Sequence, residues 1–247
     1  MAPLGEDLPV NGMRIVMANN YLYLRGGAER VMFDEMGWLA KHHQVAVVFG
    51  RAHSPSLDFP HAELFPALQD YGRTRGIGRI RAAINVIYNI ETGKRFETFR
   101  DRVRPHIVHC HNIYAGLTTA VIDVCRRTHV PCVVTLHDYK LACPSYTMLR
   151  RGRPCRLCVG GRFYNCTVGR CHKSSLGASL ISTAESYFNG LLKKYEQAAY
   201  LITPSLFMRQ QMIEAGVPRH KLKCIRNGVD VSLMAASAVD EGYYLYV

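Results

Sequence analysis

Two sets of residues in the middle of this chain could do chemistry. The first is His137-Asp138-Tyr139, at the end of the apolar run Cys132-Val-Val-Thr-Leu136. The second is a set of five cysteines spread over the 29 residues from Cys143 to Cys171, among arginines. Cys155 and Cys158 form a C-x2-C pair; Cys166 and Cys171 follow at a C-x4-C step, beside His172. Thiolates at such spacings can wrap a tetrahedral zinc ion, with Cys155, Cys158, Cys166 and Cys171 as the ligand set. The second arm is irregular, and there are more sulfurs than a closed four-coordinate site needs. Two readings therefore stay open: a structural zinc, or reduced thiols packed in a long loop. Disulfides fit less well, because Cys110, Cys125, Cys132 and Cys224 fall in expected strands and a helix.

What must position these residues is a strand. Cys132–Leu136 is short, β-branched and bounded by Pro131, so it reads as a buried strand, with His137 and Asp138 at its C-terminal edge. In open parallel α/β sheets ligands bind at that edge. The same logic applies upstream. Met13–Ala18 and Val45–Phe49 read as strands flanking an amphipathic helix over about Ala28–Lys41, a βαβ unit. Its turn carries Gly26-Gly27, which lets backbone N–H groups at the helix N-terminus approach a phosphate, or serves only as a tight turn. No G-x-G-x-x-G occurs and strand two ends in Gly50-Arg51, so a dinucleotide fingerprint is absent.

Residues 51–71 read mostly as loop. Helices are expected over Ile80–Ile90 and Glu91–Arg104, the latter ended by Pro105. His106–His111 reads as a strand with His109 and His111 on one face and His111 nearest its open end, followed by Asn112 and a helix over about Ala115–Thr128. Beyond the cysteines come a long helix, Leu176–Ala198, a strand, Ala199–Thr203, a helix, Pro204–Ala215, and a strand, Lys221–Ile225. The fold class is therefore α/β, a Rossmann-like parallel sheet with helices on both faces. Residues 1–12 are expected to be a disordered leader, 13–230 the domain with a Cys-rich insertion at 143–173, 231–242 a linker, and 243–247 a strand that opens a second domain.

At 247 residues, 48% hydrophobic and 20% charged, the chain can bury a substantial core. No run approaches the roughly 18 apolar residues of a transmembrane helix. The formal charge of +12 is concentrated: Gly72–Arg104 has nine basic and three acidic residues, Cys143–Lys173 seven basic and none acidic. Such a focus favours polyanionic partners, among them nucleotide diphosphates and lipid phosphates. Charge and cysteines alone would also allow a zinc-stapled basic module for nucleic acid or anionic membrane. The aromatic residues of a base-stacking surface are limited to Phe163 and Tyr164, however, so nucleic acid is not expected.

Five stretches together carry a family likeness: Gly26-Gly-Ala-Glu29, Val108-His-Cys-His-Asn112, Thr135-Leu-His-Asp138, Ile202-Thr-Pro-Ser205 and Ile225-Arg-Asn-Gly-Val-Asp230. In this order and spacing they resemble the N-terminal half of family 4 glycosyltransferases, retaining enzymes of the GT-B fold. The Cys-rich loop resembles one bacterial subgroup. The resemblance implies hexosyl transfer from a nucleotide-sugar to a lipid-linked or saccharide acceptor, in cell-surface polysaccharide biosynthesis, at or near the cytoplasmic face of the membrane. It implies that Gly26 and Gly27 line the cleft by the donor phosphates, that His137 hydrogen-bonds the donor sugar and carries the catalytic role, and that His111, Asn112, Asp138 and Tyr139 shape the acceptor side. It implies no catalytic metal. The basic pair and Glu-containing motif that grip the donor in the family's second domain have no counterpart in these 247 residues, so the chain alone is expected to be inactive.

Overall fold

The computed structural model describes residues 12–42, 44–53, 59–67, 76–230 and 242. Residues 1–11 of the expected 1–12 leader, 231–241 of the expected 231–242 linker, the 243–247 strand, and Arg73 and Arg75 of the first basic segment lie outside the described residues.

The apolar runs pair into one sheet. Strands β1 (Arg14–Ala18), β2 (Val45–Phe49), β3 (Ile107–Cys110), β4 (Cys132–Thr135), β7 (Tyr200–Thr203) and β8 (Leu222–Cys224) are all parallel, in the order β2-β1-β3-β4-β7-β8. A parallel bridge between Ala52 and Ala67 follows β2. β2 is buried along its whole length, as expected of a strand covered on both faces. Helices α1 (Gly27–Lys41), α2 (Ile77–Ile87), α3 (Ile90–Val103), α4 (Ala120–Arg127), α6 (Leu176–Leu191) and α7 (Leu206–Glu214) alternate with the strands. Phe49 of β2 meets Phe96 and Phe99 of α3 at centroid separations of 4.8 and 5.0 Å, within one continuous core. Among the described residues no helix is long and apolar enough to cross a membrane.

Helix starts follow from capping. Asn89 accepts from Thr92 N at 3.1 Å to begin α3, Ser175 from Ala178 N at 3.3 Å to begin α6, and Ser205 from Met208 N at 3.1 Å to begin α7. Ser205 is thus the cap before Leu206, and Pro204 lies outside α7.

α2 runs over Ile77–Ile87, three residues earlier than expected, and two other helices depart further from the sequence expectation, each through a nonlocal partner. α4 begins at Ala120 and not at Ala115, because Asn20 draws the preceding segment away from helical hydrogen bonding. Leu117 N donates to Asn20 Oδ1 at 2.9 Å, Tyr114 O accepts from Asn20 Nδ2 at 2.7 Å, and Ala115 and Thr118 hold φ of 58° and 61°. Gly116 is required there, since a Cβ would lie 2.1 Å from Asn20 Oδ1. The expected Leu176–Ala198 helix stops at Leu191. Lys193 turns through φ 47°, Lys194 Nζ reaches Asp123 Oδ2 at 2.6 Å, and a 3-10 turn over Tyr195–Gln197 delivers the chain to β7.

The cysteine segment is ordered. It contains a two-stranded antiparallel ribbon, β5 (Leu149–Arg150) with β6 (Arg153–Pro154), turned by Arg151 and Gly152 at φ 51° and 75°, then a short helix α5 (Tyr164–Val168) packed on α6.

Candidate functional site

β1 and β3 are neighbours in space but not in sequence, so the chain departs in opposite directions from them. This is the switch point at which a parallel sheet opens a crevice beyond its C-terminal edge. Asn19 and Asn20, directly after β1, span it. Asn19 Oδ1 accepts from Asn112 N at 2.9 Å, while its Nδ2 donates to Tyr21 O at 2.7 Å and Glu29 Oε1 at 3.1 Å. Asn20 N donates to Asn112 O at 2.9 Å. Glu29 lies in the first turn of α1, so these bonds tie the Gly-Gly turn to the end of β3. The sequence reading gave Asn19 and Asn20 no role; an Asn-Asn pair at a strand's end was the signal.

α1 starts on Gly26 with no side-chain cap, leaving its first backbone N–H groups without intrahelical partners. A Cβ at Gly27 would meet nothing within 4 Å. The chain's own packing therefore does not demand glycine at Gly27, whereas a Cβ at Gly26 would lie 3.6 Å from Glu29 Oε2.

Leu136 N still bonds Ile202 O at 2.8 Å, so His137 is the first residue past the β4 ladder. Its Nε2 lies 2.9 Å from His111 Nδ1, with the rings stacked 5.2 Å apart. Burial lowers His137 to about 4 and His111 well below its ordinary value, so both are neutral near pH 7. Asp138 faces inward: Tyr114 Oη donates to Oδ2 at 2.5 Å and Lys140 N to Oδ1 at 2.9 Å. Burial raises the Asp138 carboxyl against the opposing pull of those two bonds. His111, Asn112, Tyr114, His137 and Asp138 line one small pocket. Tyr139 is turned aside, its ring edge-on to Phe207 of α7 at 6.5 Å.

The arrangement is held from below by Lys140. Its Nζ makes a 2.8 Å ion pair with Glu185 of α6 and a 2.9 Å bond to Pro144 O, with both side chains nearly sealed from solvent at 9% and 2% exposure. A cavity of about 410 Å3 lies away from the switch point, between Gly160, Gly161 and Phe163 of the cysteine loop and Tyr187, Gly190 and Lys193. Most of its wall is apolar and it lacks the paired imidazoles, so the smaller switch-point pocket is the better candidate for chemistry.

Cys143, Cys155, Cys158 and Cys171 line another small pocket, and Cys166 is fully buried beside Phe163 and Tyr187. Of the four expected ligands, Cys155, Cys158 and Cys171 thus share a pocket. Cys143 is the fourth sulfur there, and Cys166 packs in the adjoining apolar cluster. Hydrogen bonding from Cys158 holds Cys143 low, and Cys158 is pushed up in turn.

The model of Glycosyltransferase Family 4 matches residues 25–233. The curated proteins returned no match. Among solved structures, UDP-N-acetylglucosamine 2-epimerase from Rickettsia bellii aligns with a TM-score of 0.45 at 7% identity, over 86% of this chain and 44% of that chain. This chain therefore spans less than half the length of that neighbour.

Proposed function

This chain belongs to glycosyltransferase family 4, and from that premise we propose that it forms the acceptor side of a retaining hexosyltransferase. The donor is a nucleotide-sugar, the acceptor a lipid-linked or saccharide hydroxyl, and the setting cell-surface polysaccharide synthesis at the cytoplasmic face of the membrane. The observation that carries this reading is the convergence of His111, Asn112 and His137 with the uncapped start of α1 at one switch point. Transfer breaks the bond between the anomeric carbon and the diphosphate oxygen and forms one to the acceptor oxygen, whose proton passes to the departing diphosphate. Negative charge grows on the leaving diphosphate, which the N–H groups of Gly26 and Gly27 are placed to meet. A neutral His137 orients a sugar hydroxyl. The test, made on this chain joined to a donor-binding second domain of the family, is release of nucleoside diphosphate from a panel of nucleotide-sugars with lipid-linked and saccharide acceptors; no acceptor-dependent release from any donor by the joined protein would overturn the reading.

Peripheral membrane contact is part of this proposal. Ile77, Ile80 and Ile84 of α2 are 86%, 64% and 57% exposed, at i, i+3, i+7 spacing beside Arg79 and Arg81, a face that suits an anionic bilayer. Flotation with anionic but not neutral liposomes at low salt is expected, and Ile80→Asp with Ile84→Asp should abolish it. Equal recovery with both lipids would leave the charge a solvated surface.

The cysteine loop, in the same proposal, holds one structural zinc with Cys155 and Cys158 among the ligands, the pocket they share with Cys143 and Cys171 supplying the rest. Protein purified under reducing conditions without added metal is expected to show a zinc–sulfur shell at about 2.3 Å. Less than about 0.2 sulfur-bound zinc per chain would overturn it, since a structural site is expected to be close to filled.

A further inference from the structure

Glu35 was given no role by the sequence, and His109 only a place on a strand face. In the structure Glu35 Oε2 of α1 lies 3.4 Å from His109 Nδ1 and 3.6 Å from His111 Nε2, and all three atoms fall within 4.8 Å of one another. These separations are long for hydrogen bonds. They suit ligand atoms around a shared ion, because nitrogen and oxygen donors each about 2.1 Å from a tetrahedral zinc stand about 3.4 Å apart.

The outer nitrogens of both rings are already engaged. His109 Nε2 is 2.7 Å from Thr135 Oγ1, and His111 Nδ1 is 2.9 Å from His137 Nε2. When each neutral ring donates its N–H outward, its other nitrogen presents a lone pair toward Glu35. His111 Nε2 is buried without a hydrogen-bond partner, and its side chain is 0% exposed. Two imidazole lone pairs and a carboxylate oxygen aimed at one point repel one another; burial pushes Glu35 up to about 7, and a divalent cation between the three groups relieves the same crowding in place of that proton. Outer hydrogen bonds that fix the tautomer are also what metal-ligating histidines ordinarily possess.

We propose that Glu35, His109 and His111 bind a divalent cation of the zinc type, leaving one coordination position open. The ion ties α1 to β3, and through His111 it fixes the orientation of His137, so its role is positional. Glu35 is 38% exposed and His109 14%, which gives the ion an entry path from solvent past the carboxylate. The site is separate from the cysteine loop and does not depend on the transferase reading.

The experiment titrates the metal-stripped full chain with Zn2+ and with Co2+, reading stoichiometry by elemental analysis, melting temperature, and the coordination shell by X-ray absorption. About one ion per chain in a nitrogen/oxygen shell near 2.0–2.1 Å is expected, with a rise in melting temperature on binding. Glu35→Gln should lose that shell and that rise. Thr135→Val, which removes only the outer partner of His109, should weaken binding about ten- to hundredfold with the fold intact. Sulfur-bound zinc in the loop would contribute a distinct shell near 2.3 Å, unchanged in Glu35→Gln and removed by Cys155→Ser, so the two sites are read independently. A wild-type chain with no nitrogen/oxygen-coordinated ion, or Glu35→Gln or Thr135→Val proteins that bind as tightly as wild type, would overturn the proposal.

Discussion

In the chain joined to a donor-binding second domain, His137→Ala is expected to lower turnover about tenfold to thousandfold, the range seen when one positioned polar contact is lost from a transition state, while nucleotide affinity stays nearly unchanged. That loss equals about 1.4–4 kcal/mol of barrier. The structural cost of the same change is smaller. His137 is the first residue past the β4 ladder and is partly exposed, so its removal leaves the sheet intact. What it strands is His111 Nδ1, an unpaired polar atom worth about 1–3 kcal/mol. For a domain of this size that is a fall of a few degrees in melting temperature, at about 2–4 °C per kcal/mol. Activity and stability therefore separate the two roles of this residue. Nucleoside diphosphate release and a thermal melt on the same preparation make the comparison, and a fully active His137→Ala enzyme would reduce the residue to a packing partner of His111.

The largest stability effect is expected at Lys140. Lys140→Met leaves Glu185, 2% exposed, as a lone buried carboxylate, and breaking a buried pair by removing one partner costs about 3–5 kcal/mol. The melting temperature should fall by about 6–20 °C at the same conversion. The double replacement Lys140→Met with Glu185→Leu should recover most of the loss, because it is the unpaired charge and not the missing bridge that is costly. Lys140 also ties Asp138, through its backbone N–H, to Pro144 and α6. The single variant should consequently disturb both the switch-point turn and the entry to the cysteine loop. Additive effects in the double variant would show that the two side chains do not act as a pair.

The sequence by itself determined the elements and their order. β-branched runs such as Val45–Phe49 and Cys132–Thr135, and helical periodicity over Gly27–Lys41, are local signals set by burial of one face, so they survive without knowledge of neighbours. It also placed His111 and His137 at strand ends, where alternation and the parallel topology put them in one crevice.

Tertiary structure alone decided what those residues touch. The delayed start of α4 depends on Asn20, ninety-seven positions from Leu117. The break after α6 depends on Asp123, seventy-one positions from Lys194. Glu35 read as one polar residue on an amphipathic helix, and only the register of α1 over β3 aims it at His109 and His111. Cys143 lay outside the expected ligand set of Cys155, Cys158, Cys166 and Cys171, and only the fold sets it in one pocket with Cys155, Cys158 and Cys171. In each case the deciding interaction joins groups far apart in sequence. Local pattern reports which side of an element is buried, while the identity of the buried partner is fixed by how the elements pack.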